Sequence, residues 1–294
     1  ADWKTIAPQV EGMDLSAVFQ MYGDAAKILL QGVRDCEGYT ATFDLNFQGT
    51  TIEQYLSVAA GSPTDLMLQT QKTSDLKELE RLPADQVAYV AMEGDFAAIT
   101  QWSYKFAAEL LKDEAAKTAM QEVAAMQAEM TYGGYLMAFD VADPSQGALR
   151  TTVVTIAEPV DKLREVTRRI ATLIPALSTA GVSQKVDFKT AAERIGAYTA
   201  DVLTVSTQTD TSNVPPQLAE LMEKSARAMY GPDGMTQRMV YLGDRVVTTM
   251  GGGQQAMEVA INAQARSPFL NDRGMSPVES TRKALAQKAN LVAL

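Results

Sequence analysis

One phrase recurs along this chain. "DLSAVFQ" (14–20) returns as "DFAAITQ" (95–101), and "YTATFDL" (39–45) returns as "YLMAFDV" (135–141). The order is preserved, so the repetition constrains a folding module and not merely a local motif. In the first pass Leu15, Val18, Phe19, Tyr22, Ala26, Leu29 and Leu30 fall at helical spacing behind Asp14, which can accept the first free amide hydrogens. Alternating runs at 39–47 and 50–60, parted by Gln-Gly, read as a hairpin, and Pro63 after Ser62 opens a helix. The second pass has a strand at 84–94, an Asp95-led helix continued through 113–131, a hairpin at 135–141 and 149–157, and an amphipathic helix from Pro159. A more worn third pass sets "ERIGA" (193–197) before the strand "DVLTVS", as "ERLPA" (80–84) precedes "QVAYV". A helix at 215–229, the hairpin "TQRMVYLG" and "DRVVTTM", and the closing helix "GGQQAMEVAINAQ" complete it.

The module is therefore strand–helix–strand–strand–helix, and the expected fold class is α+β, a mainly antiparallel sheet covered by helices. Expected units are 1–82, 83–195 and 196–294, packed as one or two domains. A hairpin with helices on one face leaves its other side bare. Neighbouring copies are thus expected to extend a sheet, single or as two half-sheets, and to share one helical layer. The apolar terminal "ANLVAL" is expected to be a paired strand, because a bare one invites aggregation.

Composition removes several functions. The 294 residues are 46% hydrophobic and 21% charged, as in globular domains, with a net charge of −10 that opposes binding to nucleic acid. No apolar run reaches the ~18 residues of a membrane-crossing helix. Histidine is absent, so no Ser-His, Cys-His or His-metal site can be assembled. The single Cys36 reads as a small residue before a strand. The opening "ADW" lacks the charged and apolar regions of a signal peptide, which fits a cytosolic protein or a processed exported one.

The remaining motifs point weakly to chemistry. "MGGGQQAMEV" (250–259) places three glycines between strand and helix, but no Lys-Ser/Thr follows to neutralise a phosphate, so they read as a turn. "SDLK" (74–77) and "STRK" (280–283) match Ser-x-x-Lys, yet "TSN" (211–213) follows Lys189, the reverse of the order such enzymes use. Glu93/Asp95 and Asp140/Asp143 would serve a glycosidase only across a cleft, and "TQTDTSNVPP" lacks the spacing of a calcium loop. Fifteen methionines supply adaptable packing. Trp102, Tyr104, Phe106, Met120, Met126 and Met130 are the candidate contacts for a partner or an apolar ligand.

"LKELERLPADQVAYVAMEGDF", "GYLMAFDV", "LRTTVVTIAEPVDKLREV", "DRVVTTMGGGQQAMEVAI" and "SPFL" together resemble uncharacterised exported bacterial proteins and lipoproteins built of domains of unknown function. The resemblance implies an α+β fold and an extracytoplasmic location, and brings no catalytic residue. The expected function is accordingly non-enzymatic: a structural or accessory subunit that binds other proteins, without cofactor or metal. One alternative is a carrier of an apolar small molecule held between sheet and helices. A second is a hydrolase using carboxylates alone.

Overall fold

A computed structural model of the protein describes residues 33–46, 49–69, 77–97, 100, 103–104, 108, 111, 113–142, 147–177, 182–209, 216–231, 234–266 and 291–293. The expected helix at 12–33 lies almost wholly outside these residues, as do "SDLK" up to Leu76, "STRK" and "TSN". The chain divides into two compact units, residues 12–72 and residues 73–294 together with 1–11.

In the smaller unit β1 (Cys36–Asn46) pairs antiparallel with β2 (Gly49–Val58), and α1 (Pro63–Gln69) follows. Helix α1 starts where the sequence places it: Ser62 Oγ accepts from the Asp65 amide at 3.1 Å, directly ahead of Pro63. The Cys36 thiol sits half-buried at the start of β1, 3.5 Å from the Gly38 carbonyl oxygen.

Among the described residues the larger unit is built on eight antiparallel strands. They are β3 (Ala88–Glu93), β4 (Thr131–Val141), β5 (Leu149–Glu158), β6 (Val182–Ile195), β7 (Tyr198–Thr209), β8 (Met235–Leu242), β9 (Arg245–Met250) and β10 (Leu291–Ala293), in spatial order β10-β3-β4-β5-β9-β8-β7-β6. Its α-helices given bounds among the described residues are α2 (Glu114–Gln127), α3 (Val160–Leu173), α4 (Pro216–Tyr230) and α5 (Gly253–Arg266). The α+β class and the antiparallel pairing are as expected from sequence. Strands from 83–195 and from 196–294 share one sheet, and the terminal apolar strand is paired, Val292 opposite Ala91.

Three expectations are corrected. The first hairpin does not extend the large sheet but forms a two-stranded sheet of its own. Residues 182–195, which the analogy with "ERLPA" leaves without a strand, form the long edge strand β6; Val186 and Phe188 alternate toward the core while Lys185, Asp187 and Lys189 stay exposed. Nor is there one shared helical layer. Ala91, Leu136, Val154, Val247 and Val240 are register neighbours on one face, packed with Leu79, Leu82 and Met257 and Ala260 of α5. Met239, Val246, Leu203 and Val205 belong to the other face and pack with Met120 and Val123 of α2 and Leu163 and Val166 of α3. The physical cause lies in the strands: β9 is buried at Arg245, Val246 and Val247 in succession, so both faces need a cover.

Specific polar ties hold the layers. Asp113 caps α2 by accepting from the Ala116 amide at 2.7 Å. Glu165 of α3 bridges Arg168 and Arg169, and Arg169 reaches Glu122 of α2 at 2.8 Å. The wholly buried Asp201 of β7 receives Nε and Nη2 of Arg164 at 2.8 and 2.6 Å, and the amide of Ala191 at 2.7 Å. That last bond holds Ala191 at φ 48°, within the irregularity of β6 between Lys189 and Glu193. The glycines after β9 do turn work: Gly251, at φ 74°, lies where a Cβ would come within 2.6 Å of the Leu149 carbonyl oxygen.

Candidate ligand cavity

Between the α2/α3 face of the sheet and the segment following β3 lies a cavity of about 400 Å³. The strands supply Met92, Tyr132, Tyr135 and Thr155 to its floor. Helix α3 supplies Leu163, Val166, Thr167 and Ile170, which its period of three to four residues places on one stripe. Phe96, Thr100 and Tyr104 line it from the segment that Asp95 initiates, the Ala97 amide donating to Asp95 Oδ1 at 3.0 Å. Among the described residues that line it, none is charged.

The polar groups here are few and unusual. Gln127 is 1% exposed on the buried stripe of α2. Its Oε1 is buried and has no hydrogen-bond partner. An orphaned buried carbonyl costs about 1–3 kcal/mol, so this one calls for a reason. Burial raises the pKa of Tyr104, Tyr132 and Tyr135, with the Tyr104 hydroxyl adding to the effect on Tyr132. The Tyr132 hydroxyl also lies 3.6 Å from the Met130 sulfur. All three phenols are therefore neutral at physiological pH.

Of the residues singled out from sequence, Tyr104 lines the cavity. Met120 and Met130 are buried in the core beside it and Met126 packs against that core. Trp102 and Phe106 lie outside the described residues. Gln127 was missed, although the sequence carries a signal for it. Met120, Val123, Ala124 and Gln127 recur at helical spacing, so a polar amide occupies an apolar-stripe position. Tyr132, Tyr135 and the α3 stripe carried no comparable mark, being ordinary core residues in pattern.

Of the carboxylates considered for hydrolysis, Asp143 lies outside the described residues. Glu93 accepts from the Glu78 amide at 3.1 Å, Asp95 caps the segment described above, and Asp140 stands opposite Arg150 across β4 and β5. Among the described residues no three His, Cys, Asp or Glu side chains form a group able to hold a metal ion, and no helix is long and apolar enough to cross a membrane. Fold and cavity together define an α+β protein with helices on both sheet faces and a pocket against one of them whose described lining is uncharged. No family model matches the sequence, and no curated protein or solved structure matches it.

Proposed function

We propose that this protein binds an apolar small molecule in the cavity between the sheet and helices α2 and α3, as a non-enzymatic carrier. The observation that carries the reading is a cavity of about 400 Å³, within the range of small-molecule sites, whose described lining residues are uncharged and largely apolar. An extracytoplasmic location, implied by the resemblance of the sequence, belongs to the same proposal. The test is displacement of Nile red from the full chain by 1-decanol and decane. Saturable binding that is lost in Ile170→Trp, a substitution that fills the rim, supports the reading, provided circular dichroism shows the variant folded. Binding of equal strength in that folded variant would place the ligand elsewhere and sink the proposal.

A second reading, an accessory subunit that binds other proteins, draws on a separate observation. Tyr39 and Leu56 are register partners in the small sheet and Phe43 lies on the same face; they are 60%, 53% and 72% exposed. Exposed aromatic residues on one face of a hairpin are the raw material of a contact surface. Phe43→Ser combined with Leu56→Ser should then abolish co-purification of a partner from the native source. Recovery of that same partner undiminished argues against the reading.

A further inference from the structure

We infer that the cavity selects a planar aromatic ligand over a saturated one of the same size. The inference rests on the carrier reading and specifies the ligand class. Its ground is a β-bulge that gathers aromatic side chains in one place. Three residues apart on a regular strand, Tyr132 and Tyr135 of β4 would point to opposite faces of the sheet. The register instead shifts between Tyr132 and Gly134. Tyr132 stands opposite Ala157 and Tyr135 opposite Thr155, two positions on one face of β5, and Gly133 is the extra residue. Both tyrosines therefore line the cavity, while Leu136 belongs to the other face, among the residues packed with α5. The bulge also fixes the segment that follows β3. The Gly94 amide donates to the Gly133 carbonyl oxygen at 3.1 Å and the Phe96 amide to that of Tyr132 at 3.4 Å, which sets Phe96 beside the tyrosine pair. With Tyr104, four of the thirteen described lining residues are aromatic. Of the thirteen hydrophobic residues clustered on the other face, by contrast, Tyr89 alone is aromatic, so the enrichment belongs to the cavity and not to the core at large. Phe96, Tyr104 and Tyr135 are half-buried and keep surface that an occupant can cover. An aromatic occupant gains edge-to-face or offset contacts with such rings beyond the area it buries, about 3- to 10-fold in affinity. Size follows from volume: at roughly 30 Å³ for each water-sized group, the space takes a two-ring ligand of about ten carbons with room to spare.

Naphthalene and decalin share one carbon skeleton and differ in aromaticity, so together they make the test. Each is titrated against Nile red bound to the full chain, and its affinity is divided by its partition from water into hexane, which removes the difference in hydrophobicity. So corrected, naphthalene should bind about 3- to 10-fold more tightly than decalin. Tyr135→Leu should lower that ratio about twofold or more, and Tyr135→Phe should keep it, because the ring and not the hydroxyl carries the preference. Should Tyr135→Leu fail to fold, Phe96→Leu tests the same kind of contact from the neighbouring segment. A corrected ratio at or below one, a ratio that falls in neither leucine variant, or one that falls as far in Tyr135→Phe as in Tyr135→Leu would each overturn the inference. In those cases the carrier reading stands, because the cavity still binds. Displacement of Nile red by decane but by neither bicyclic probe overturns the inference alone; displacement by none of the three defeats the carrier reading with it.

Discussion

The salt bridge that seats α3 on the sheet offers an asymmetry that can be measured. Asp201 is 1% exposed and Arg164 41% exposed, so the two partners are in different solvents. In Asp201→Ala the freed guanidinium can swing outward and hydrate. What is lost is a pair of charge-assisted hydrogen bonds and the acceptor for the Ala191 amide, which lies in an exposed stretch where water can replace it. That amounts to about 3 kcal/mol. In Arg164→Met the carboxylate remains inside, keeping only the Ala191 amide, and cannot leave. An uncompensated buried charge costs about 3–5 kcal/mol, so the arginine variant should be the less stable of the two by about 1 kcal/mol or more. Arg164 also covers the Tyr241 ring, 5.3 Å from its centroid, which adds to its loss. Urea unfolding of both single variants and of the double variant measures each cost and the coupling. The double variant should recover part of the loss of Arg164→Met. If Asp201→Ala proves equal to or worse than Arg164→Met, charge burial is not what makes this bridge matter. Because Leu163, Val166 and Thr167 flank Arg164 on the cavity wall, both variants should also weaken ligand binding.

Further outcomes follow from single contacts. Met257→Ala, at a position with no exposed surface on α5, should lower stability by about 2–5 kcal/mol in chemical unfolding, since it opens a void between helix and sheet. Tyr89→Phe removes a hydroxyl that donates to the Pro83 carbonyl and accepts from the Gln86 amide, each at 3.0 Å; a loss of about 1–2 kcal/mol is expected, with the fold retained by circular dichroism. Gln127→Leu replaces an orphaned acceptor by a side chain of similar volume, and should leave thermal stability unchanged or raise it slightly. Hydrogen bonds from Arg168 and then Arg169 lower the Glu165 pKa from 4.5 to about 2. Its contribution is thus complete above pH 4.5 and fades as pH falls toward 2. Exposure and solvent screening hold it below about 1 kcal/mol, so Glu165→Gln should cost that much at pH 7 and only a small fraction of it at pH 2.

Much of the fold was legible because its signals are local. Asp113, Ser62 and Asp95 each accept from a nearby amide, and the two hairpins 131–158 and 235–250 follow alternation that depends only on neighbours. Edge strand β6 was hidden by a different logic. Its apolar residues Val186 and Phe188 are few, its charges sit where an edge must discourage further pairing, and its irregular stretch at 189–193 exists because Asp201, on another strand, demands the Ala191 amide. The placement of helices on both faces is equally non-local. Period-two alternation says which residues point together, but consecutive buried residues such as Val246 and Val247 in β9 reveal two covered faces only once a cover for each is known.

The candidate site repeats this division at the scale of side chains. Tyr104 could be chosen from sequence because an aromatic on a short amphipathic segment is conspicuous, and the methionines could be placed in the core for the same reason. The cavity, however, is a property of spacing between layers, set by how α3 is pinned at Arg164–Asp201 and tied to α2 through Arg169–Glu122. No pattern within one element encodes that distance. What the sequence does encode is the exception: a glutamine in register with Met120 and Val123 on the buried stripe of α2. A helix that buries an amide there forgoes the stability an aliphatic residue would bring, so Gln127 marks the one position of the α2 stripe where packing alone does not explain the choice of residue.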